Sequence, residues 1–331
     1  MEKIKSTIPW KEKRAKFLSM YGTLLILIGM MAIMTILKGN MFLSWTNIFN
    51  IMRQQTAIAL MALGVMLPII TAGTDLSGGS VIALCGVVAA MLAHPLTPDS
   101  AMGEYPFIVP VLAGILTGAL CGLINGVAIS YGNVPPFIAT LGMMQAARGM
   151  THIISNGKPV NGFTPAFETI GGGSWLGIPV PIYILLGATI IMYFILHRSK
   201  FGTYVYAIGG NELAAKVSGI RVGRNKTMVY VIAGAFTGLA SLVLTSRSMA
   251  GNPAAGVTYE MDAITGAVLG GTSFSGGVGT TWGTLIGALI MGVLTNGMTM
   301  LQIDPNLQMI VKGAVIVIAV LIDERKNRKN R

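Results

Sequence analysis

Charged side chains are scarce in this 331-residue chain. Only 11% of its residues are Asp, Glu, Lys or Arg, against about 25% in a typical soluble domain. Apolar residues make up 53% of the chain, and the mean hydropathy is +0.69. Because so few polar side chains cannot cover a water-exposed surface, this composition excludes an ordinary soluble domain and predicts an integral membrane protein.

Cysteine, histidine and known catalytic motifs are sparse or missing. The two cysteines, Cys85 and Cys121, lie inside apolar segments, and the three histidines are scattered along the chain. Neither a disulfide framework nor a metal site can be built from them. The sequence has no GxxxxGK(S/T) phosphate-binding motif, no HExxH and no GxSxG, so we expect no catalytic site and no cofactor. Any ATP hydrolysis must then take place on another polypeptide.

Long apolar runs, in contrast, are abundant, and ten of them reach or approach the roughly 20 residues that a helix needs to cross a bilayer. They are apolar throughout, which excludes the alternating pattern of a membrane β-barrel and leaves transmembrane helices. The predicted spans are approximately Met20–Leu37, Thr56–Thr71, Ser80–Ala93, Phe107–Tyr131, Phe137–Ile154, Pro179–Leu196, Thr227–Arg247, Asp262–Gly271, Thr281–Leu301 and Leu307–Ile322. The eighth run is too short to cross a bilayer alone and would need residues from the glycine-rich segments that flank it. We therefore predict an all-α integral membrane fold of about ten transmembrane helices.

Basic residues are concentrated in three segments: six precede the first span, six lie between Arg198 and Lys226, and five lie in Arg325–Arg331. The positive-inside rule places all three in the cytoplasm, and ten spans satisfy that pattern. The net charge of +11 does not predict a nucleic-acid partner, because the clusters contain almost no interleaved aromatic residues. The predicted organisation is one membrane domain over residues 1–331, with cytoplasmic segments at 1–19, 197–226 and 323–331.

Glycines recur at every fourth position in two spans, so each series lies on one face of its helix and lets a neighbouring backbone approach closely. We interpret both series as packing surfaces. They are Gly114, Gly118, Gly122 and Gly126 in the fourth span, and Gly279, Gly283 and Gly287 in the ninth.

Ionisable residues near the spans have two interpretations. Glu260 and Asp262 are expected in the first turn of the eighth span, where negative charge favours a helix N-terminus, with contact to a substrate as the alternative role. Arg148 and Lys312 are expected to extend towards an interface. Asp75, in GTDLSGGS, either caps the third span or lines a solute path, and the two roles are compatible.

Polar side chains in or beside the spans are candidates for the path of a solute, because a cargo with many hydroxyl groups needs hydrogen-bond partners during its passage. Most of these side chains are neutral, which permits a neutral polar cargo, and the absence of a His–carboxylate relay disfavours a proton-coupled transporter. For each one taken singly, an interhelical hydrogen bond is the alternative role. The path candidates are Asp75, Ser77, Asn125, Ser273, Phe274, Ser275 and Asn296.

The cytoplasmic loop contains a short helix signal. Gly209, Gly210 and Asn211 precede a run of helix-forming residues, Glu212–Val217, that is stopped by Gly219. This pattern predicts a short surface helix, either a solvated linker or a docking element for a partner.

Five segments in this order along the chain resemble permease subunits of the ribose/galactose class of bacterial sugar ABC importers. Two features, the threonine in GTDLSGGS and the form SFSGGVGT, look more like the galactose/methyl-galactoside permeases. The resembling segments are GTDLSGGS (73–80), GLINGVAI (122–129), AIGGNELAAKVSGIRV (207–222), YEMDAITGAVLGGTSFSGGVGT (259–280) and DPNLQMIVKGAVIVIAVLID (304–323).

The resemblance implies a type II importer fold in the bacterial inner membrane, with two permeases around a central path. It implies an ABC-type ATPase, with its two ATP-binding domains on one chain or two, and an external sugar-binding protein. Galactose or methyl-galactoside is the first cargo expected and ribose or another sugar the second. An ion-coupled secondary transporter and a passive channel are the alternative classes. By resemblance, the ATPase-coupling segment comprises Gly209, Gly210, Asn211, Glu212, Ala214, Ala215, Lys216 and Gly219. From their place on this short helix, we expect Glu212 and Lys216 to help fix the docking.

Overall fold

The computed structural model of the protein describes residues 10–328, and the side chains of residues 22–325. The basic side chains of the predicted N-terminal tail, and most of those in the C-terminal tail, lie outside this part. Thirteen α-helices occupy the described chain: α1 Trp10–Lys38, α2 Trp45–Ile70, α3 Gly78–Leu92, α4 Ile108–Ser130, α5 Pro136–Ile154, α6 Pro165–Gly172, α7 Val180–Tyr193, α8 Lys200–Gly210, α9 Glu212–Val217, α10 Val222–Ser248, α11 Tyr259–Leu269, α12 Thr281–Met300 and α13 Pro305–Arg328.

Short irregular pieces and strands connect these helices. A 3-10 turn at Gly39–Met41 follows α1, and a π-helical turn at Phe194–Arg198 extends α7. The four strands have two residues each and form two antiparallel pairs, β1 with β4 and β2 with β3. Their bounds are β1 Val160–Asn161, β2 Ser174–Trp175, β3 Ile178–Pro179 and β4 Ala250–Gly251. The β1–β4 pair joins the loop between α5 and α6 to the loop after α10.

Each of the ten predicted spans corresponds to a helix, which confirms the all-α fold. Seven helices, counted within the described residues, are long and apolar enough to cross a membrane. The three others are α3 with 15 residues, α11 with 11, and α5, which has 19 residues but too little apolar character. Ten crossings therefore stay a prediction. The second helix begins at Trp45 rather than at Thr56, because the Ser44 side chain accepts a hydrogen bond from the Asn47 backbone N–H and caps it.

The core is built around α2, which is buried along almost all of its apolar length. Gly64 of α2 lies so close to α10 that an added Cβ would be 2.9 Å from the Ala233 carbonyl oxygen. On another side of α2, the Gln55 side-chain amide donates to the Ala288 carbonyl of α12 at 2.8 Å. Close backbone contact and a satisfied buried amide together fix α2 between its neighbours.

Long-range hydrogen bonds show which helix ends lie on the same face of the bundle. The Gly277 N–H donates to the carbonyl of Ile70, the last residue of α2, at 2.8 Å. The Ser273 hydroxyl donates to Asp323, near the end of α13, at 2.9 Å. At the other end of α2, Asn47 donates to Asn296 at 3.2 Å. The end of α2, the loop after α11 and the end of α13 therefore share one face, and Asn47 and Asn296 mark the opposite one.

Candidate functional site

The short helix α9 has the bounds that the sequence predicts, Glu212–Val217. The Asn211 side chain accepts a hydrogen bond from the Ala214 N–H at 2.9 Å and caps the helix start. At the other end, Gly219 adopts φ +84°, a conformation that favours glycine, and the chain turns away. The start of α9 is thus set by the Asn211 cap and its end by the backbone conformation of Gly219.

The glycines before α9 lie on the end of α2. A Cβ at Gly209 would overlap the Ile70 carbonyl and lie 2.6 Å from the Gly277 nitrogen, so only glycine fits there. Gly210 has no atom within 4 Å of an added Cβ. Gly209 and Gly210, immediately before α9, therefore lie against the face formed by the end of α2 and the loop after α11.

The side chains of α9 separate into an anchored side and an exposed side. Ala215 is buried at 4% exposure, whereas Leu213 and Val217 are 76% and 88% exposed. Neither apolar residue was among the predicted coupling residues, although their four-residue spacing within a polar loop would place them on one helix face. The two charged residues predicted to fix docking differ in their environments. Glu212 pairs with Lys226 at 3.1 Å, while Lys216 is exposed.

Three of the predicted path residues form one buried hydrogen-bonded group before α3. One carboxylate oxygen of Asp75 accepts from the Ser77 N–H at 2.9 Å and from the Ser77 hydroxyl at 2.6 Å. The Asn125 amide of α4 donates to that hydroxyl at 3.2 Å. Asp75 therefore organises the turn that leads to α3, and Ser77, not Asp75, is the residue that immediately precedes the helix.

The other path candidates lie elsewhere. The Ser273 hydroxyl and the Phe274 N–H both donate to Asp323, and the Ser275 N–H donates to Ser273. This group lies on the face that carries α9. Asn296 bonds to Asn47 at the opposite end of the bundle. The seven candidates thus occupy three separate places.

Charged residues form two further contacts that the sequence did not predict. Asp262 is in the first turn of α11, as expected, and also accepts a hydrogen bond from Lys312 of α13 at 2.7 Å. The Asp262 side chain is 6% exposed and the Lys312 side chain 21%. Arg148 of α5 donates to three backbone carbonyls. Both cations are thus partly buried and bonded to polar groups of the protein, and their extension towards an interface stays a prediction.

Comparison with known proteins identifies the class to which this arrangement belongs. Residues 47–320 match the family described as branched-chain amino acid transport system / permease component. The chain therefore belongs to this family of membrane permease components. No solved structure matches the chain.

The relatives define the type of permease. The ribose import permease protein of Escherichia coli strain K12 is 43% identical over 308 residues, which cover 92% of this chain and 93% of the relative. The ribose import permease protein of Bacillus subtilis strain 168 is 42% identical over 96% of this chain and 97% of its own length. The galactose/methyl galactoside import permease protein of Escherichia coli strain K12 is 36% identical over 97% and 98%. The chain is thus a permease of the ribose/galactose type of sugar ABC importer, which confirms the resemblance.

Proposed function

We propose that this chain forms the translocation path of an ATP-driven monosaccharide importer and that ribose is its cargo. The observation that carries the choice of ribose is the identity of 42–43% to ribose import permeases, against 36–37% to galactose/methyl galactoside import permeases. The sequence analysis placed galactose first because of two short motifs. The comparison over nearly the whole chain does not confirm that order.

Three partners complete the proposed importer. An ABC-type ATPase supplies energy, since the permease sequence has no phosphate-binding motif of its own. An external sugar-binding protein delivers the cargo, and a second permease copy forms the other half of the path. ATP binding to the ATPase would favour one of two permease conformations and hydrolysis the other, so that the path opens to alternate sides.

The proposed contact with the ATPase is α9 together with the glycines that precede it. Three observations support this assignment. Leu213 and Val217 present apolar surface outwards, Ala215 anchors the helix on its other side, and Gly209 transmits any displacement directly to the end of α2 through backbone contact. A helix that is held by a buried residue and a close backbone contact, and that exposes two apolar side chains, is suited to bind in a groove of a partner protein.

We place the face with α9 in the cytoplasm and the protein in the bacterial inner membrane. The end of α13 lies on that face through the bonds to Asp323, so the C-terminal tail, with its five basic residues, belongs to the same side. The positive-inside rule then assigns that side to the cytoplasm. Ten crossings would bring the N-terminal tail there as well.

Charged substitutions on α9 test the docking proposal. We expect Leu213→Asp with Val217→Asp to abolish co-purification with the ATPase and sugar-stimulated ATP hydrolysis, because both place a charge in an apolar contact. Leu176→Asp is the matched control, since Leu176 is 79% exposed in the loop before α7, at the opposite end of the bundle. Wild-type co-purification and hydrolysis in the double variant would contradict the assignment of α9.

Competition for uptake tests the cargo. In cells that express the permease with its partners, we expect unlabelled ribose to reduce uptake of labelled ribose at lower concentration than galactose, methyl-galactoside or allose does. Stronger competition by galactose would contradict the choice of ribose and leave the importer class intact.

A further inference from the structure

The exposed face of α5 mixes polar and apolar residues. This helix has enough residues to cross a bilayer, yet it is not among the helices that are apolar enough to do so. Gln145 and His152 are exposed, beside apolar residues such as Ile138 and Ile153. An amide or an imidazole in hydrocarbon costs several kcal/mol, of the order of 2–7 for an unpaired polar group. The part of this face that carries Gln145 is therefore better suited to contact with water or protein than with lipid.

A pocket of about 220 Å³ opens on this face, between α5 and the starts of α3 and α11. Its polar side chains are Ser80, Gln145, Thr258 and Glu260, with Arg148 beside them. Ser80 is only 4% exposed. Among the described residues, the side chains of Ser80, Gln145 and Thr258 form no hydrogen bond with another residue, while the Glu260 carboxylate accepts from its own backbone N–H and is attracted by the Arg148 guanidinium. The donors and acceptors of the first three side chains are thus available to a molecule in the pocket.

Arg148 fixes the shape of this pocket. Its Nη1 donates to the carbonyls of Pro253 at 2.6 Å and Ala255 at 2.9 Å, and its Nη2 donates to the carbonyl of Gly79 at 3.0 Å. These bonds tie the start of α3 to the segment before α11, and those two pieces carry the polar groups on one side of the pocket. Arg148 is accordingly a positioning residue, since its donors are already engaged with the backbone.

We propose that this pocket binds the hydroxyl groups of the monosaccharide within the translocation path, and that the second permease copy closes its open side. The inference rests on the proposed function and names where the cargo is held. The Glu260 carboxylate can accept from two hydroxyl groups, and the Gln145 amide can both donate and accept. Met144 and Val257 add apolar surface for the C–H faces of a sugar. The opposite charges of Glu260 and Arg148 lie beside each other in this pocket, which favours a neutral sugar over a phosphorylated or acidic one.

Thiol labelling tests whether α5 faces the cargo. Gln145→Cys is made with Cys85 and Cys121 replaced by Ala, in proteoliposomes that hold the permease, the ATPase and the binding protein. During ATP turnover we expect a water-soluble maleimide to label this thiol at least tenfold faster than a thiol at Ile191→Cys, because maleimide reacts with thiolate, which forms in water. Ile191 is 57% exposed on the apolar helix α7. Saturating ribose should slow labelling at position 145 at least threefold, and the L-enantiomer should not.

A charge-removing pair of variants tests the binding role. Glu260→Gln should raise the ribose concentration needed to protect position 145 about tenfold, the usual effect on affinity of losing a hydrogen bond to a charged group, and should lower the ribose carried per ATP hydrolysed. Glu104→Gln removes an exposed carboxylate from the loop before α4 and should change neither quantity.

The outcomes separate this inference from the proposed function. Labelling at position 145 as slow as at 191, or labelling that ribose does not affect, would overturn the pocket assignment if the wild-type assembly still imports ribose with ATP. Unchanged ribose transport per ATP in Glu260→Gln would also overturn it. Failure of the wild-type assembly to import any monosaccharide with ATP would instead refute the proposed function.

Discussion

The packing of α4 against α10 allows a substitution whose effect can be calculated from the backbone. Glycines of the two helices interlock, and the sequence had predicted close packing for the α4 series. A Cβ added at Gly238 of α10 would lie 2.6 Å from the Gly114 carbonyl oxygen and 2.7 Å from the Ile115 Cα. Ordinary contacts of this kind begin near ~3.5 Å. In Gly238→Ala the two helices must therefore separate by about 0.8 Å, the difference between that contact distance and the shorter separations.

The expected loss of stability combines two opposing effects. Overpacking of a close contact costs about 1–3 kcal/mol, while replacement of a helical glycine by alanine returns roughly 0.5–1 kcal/mol of backbone entropy. We expect Gly238→Ala to lose about 1–2 kcal/mol and to melt at a lower temperature in a fluorescence-detected size-exclusion assay. The matched control is Gly187→Ala in α7, where an added Cβ has no atom within 4 Å, so that variant should be unchanged or slightly more stable. Equal melting temperatures for the two variants would refute the packing argument.

Three further predictions concern buried polar groups and the cap of α9. Lys312→Met should destabilise the protein by about 3–5 kcal/mol because it leaves the Asp262 carboxylate buried without its partner, and adding Asp262→Leu should recover most of the melting temperature. Asp75→Leu should cost about 2–4 kcal/mol, since the Ser77 N–H and hydroxyl lose their acceptor; the thermal shift checks this. Asn211→Ala removes the cap of α9 at a cost of about 1 kcal/mol and should weaken sugar-stimulated ATP hydrolysis without changing the melting temperature of the membrane helices.

The helices and the short element α9 could be predicted from the sequence because their signals are local. Apolar runs set the helices, and Asn211 and Gly219 set the limits of α9 through a cap and a positive φ. The glycine spacing in α4 likewise requires only the helical repeat. The length of α2 was underestimated, because the polar residues Arg53, Gln54 and Gln55 interrupt the apolar run without interrupting the helix. Three other helices, α1, α10 and α13, likewise extend past their apolar runs into polar residues.

Contacts between residues far apart in the chain could not be predicted, because no periodic pattern encodes them. Arg148 reaches the Pro253 carbonyl across 105 positions, and Asn47 reaches Asn296 across 249. The same limit explains why seven residues, six of them polar, were grouped as one path. The six polar types are alike, but the hydrogen bonds of the seven residues distribute them over three places. The pocket beside Gln145 could not be predicted either, because its lining residues come from α3, α5 and α11, which are far apart in the sequence.

Transport by the purified components tests the central claim most directly. Proteoliposomes containing the permease, its ATPase and the sugar-binding protein are supplied with labelled ribose, with ATP either present or absent on the side that α9 faces. We predict accumulation only with ATP on that side, and none when the permease alone is given a proton or sodium gradient. Accumulation by the permease alone under an ion gradient would contradict the account.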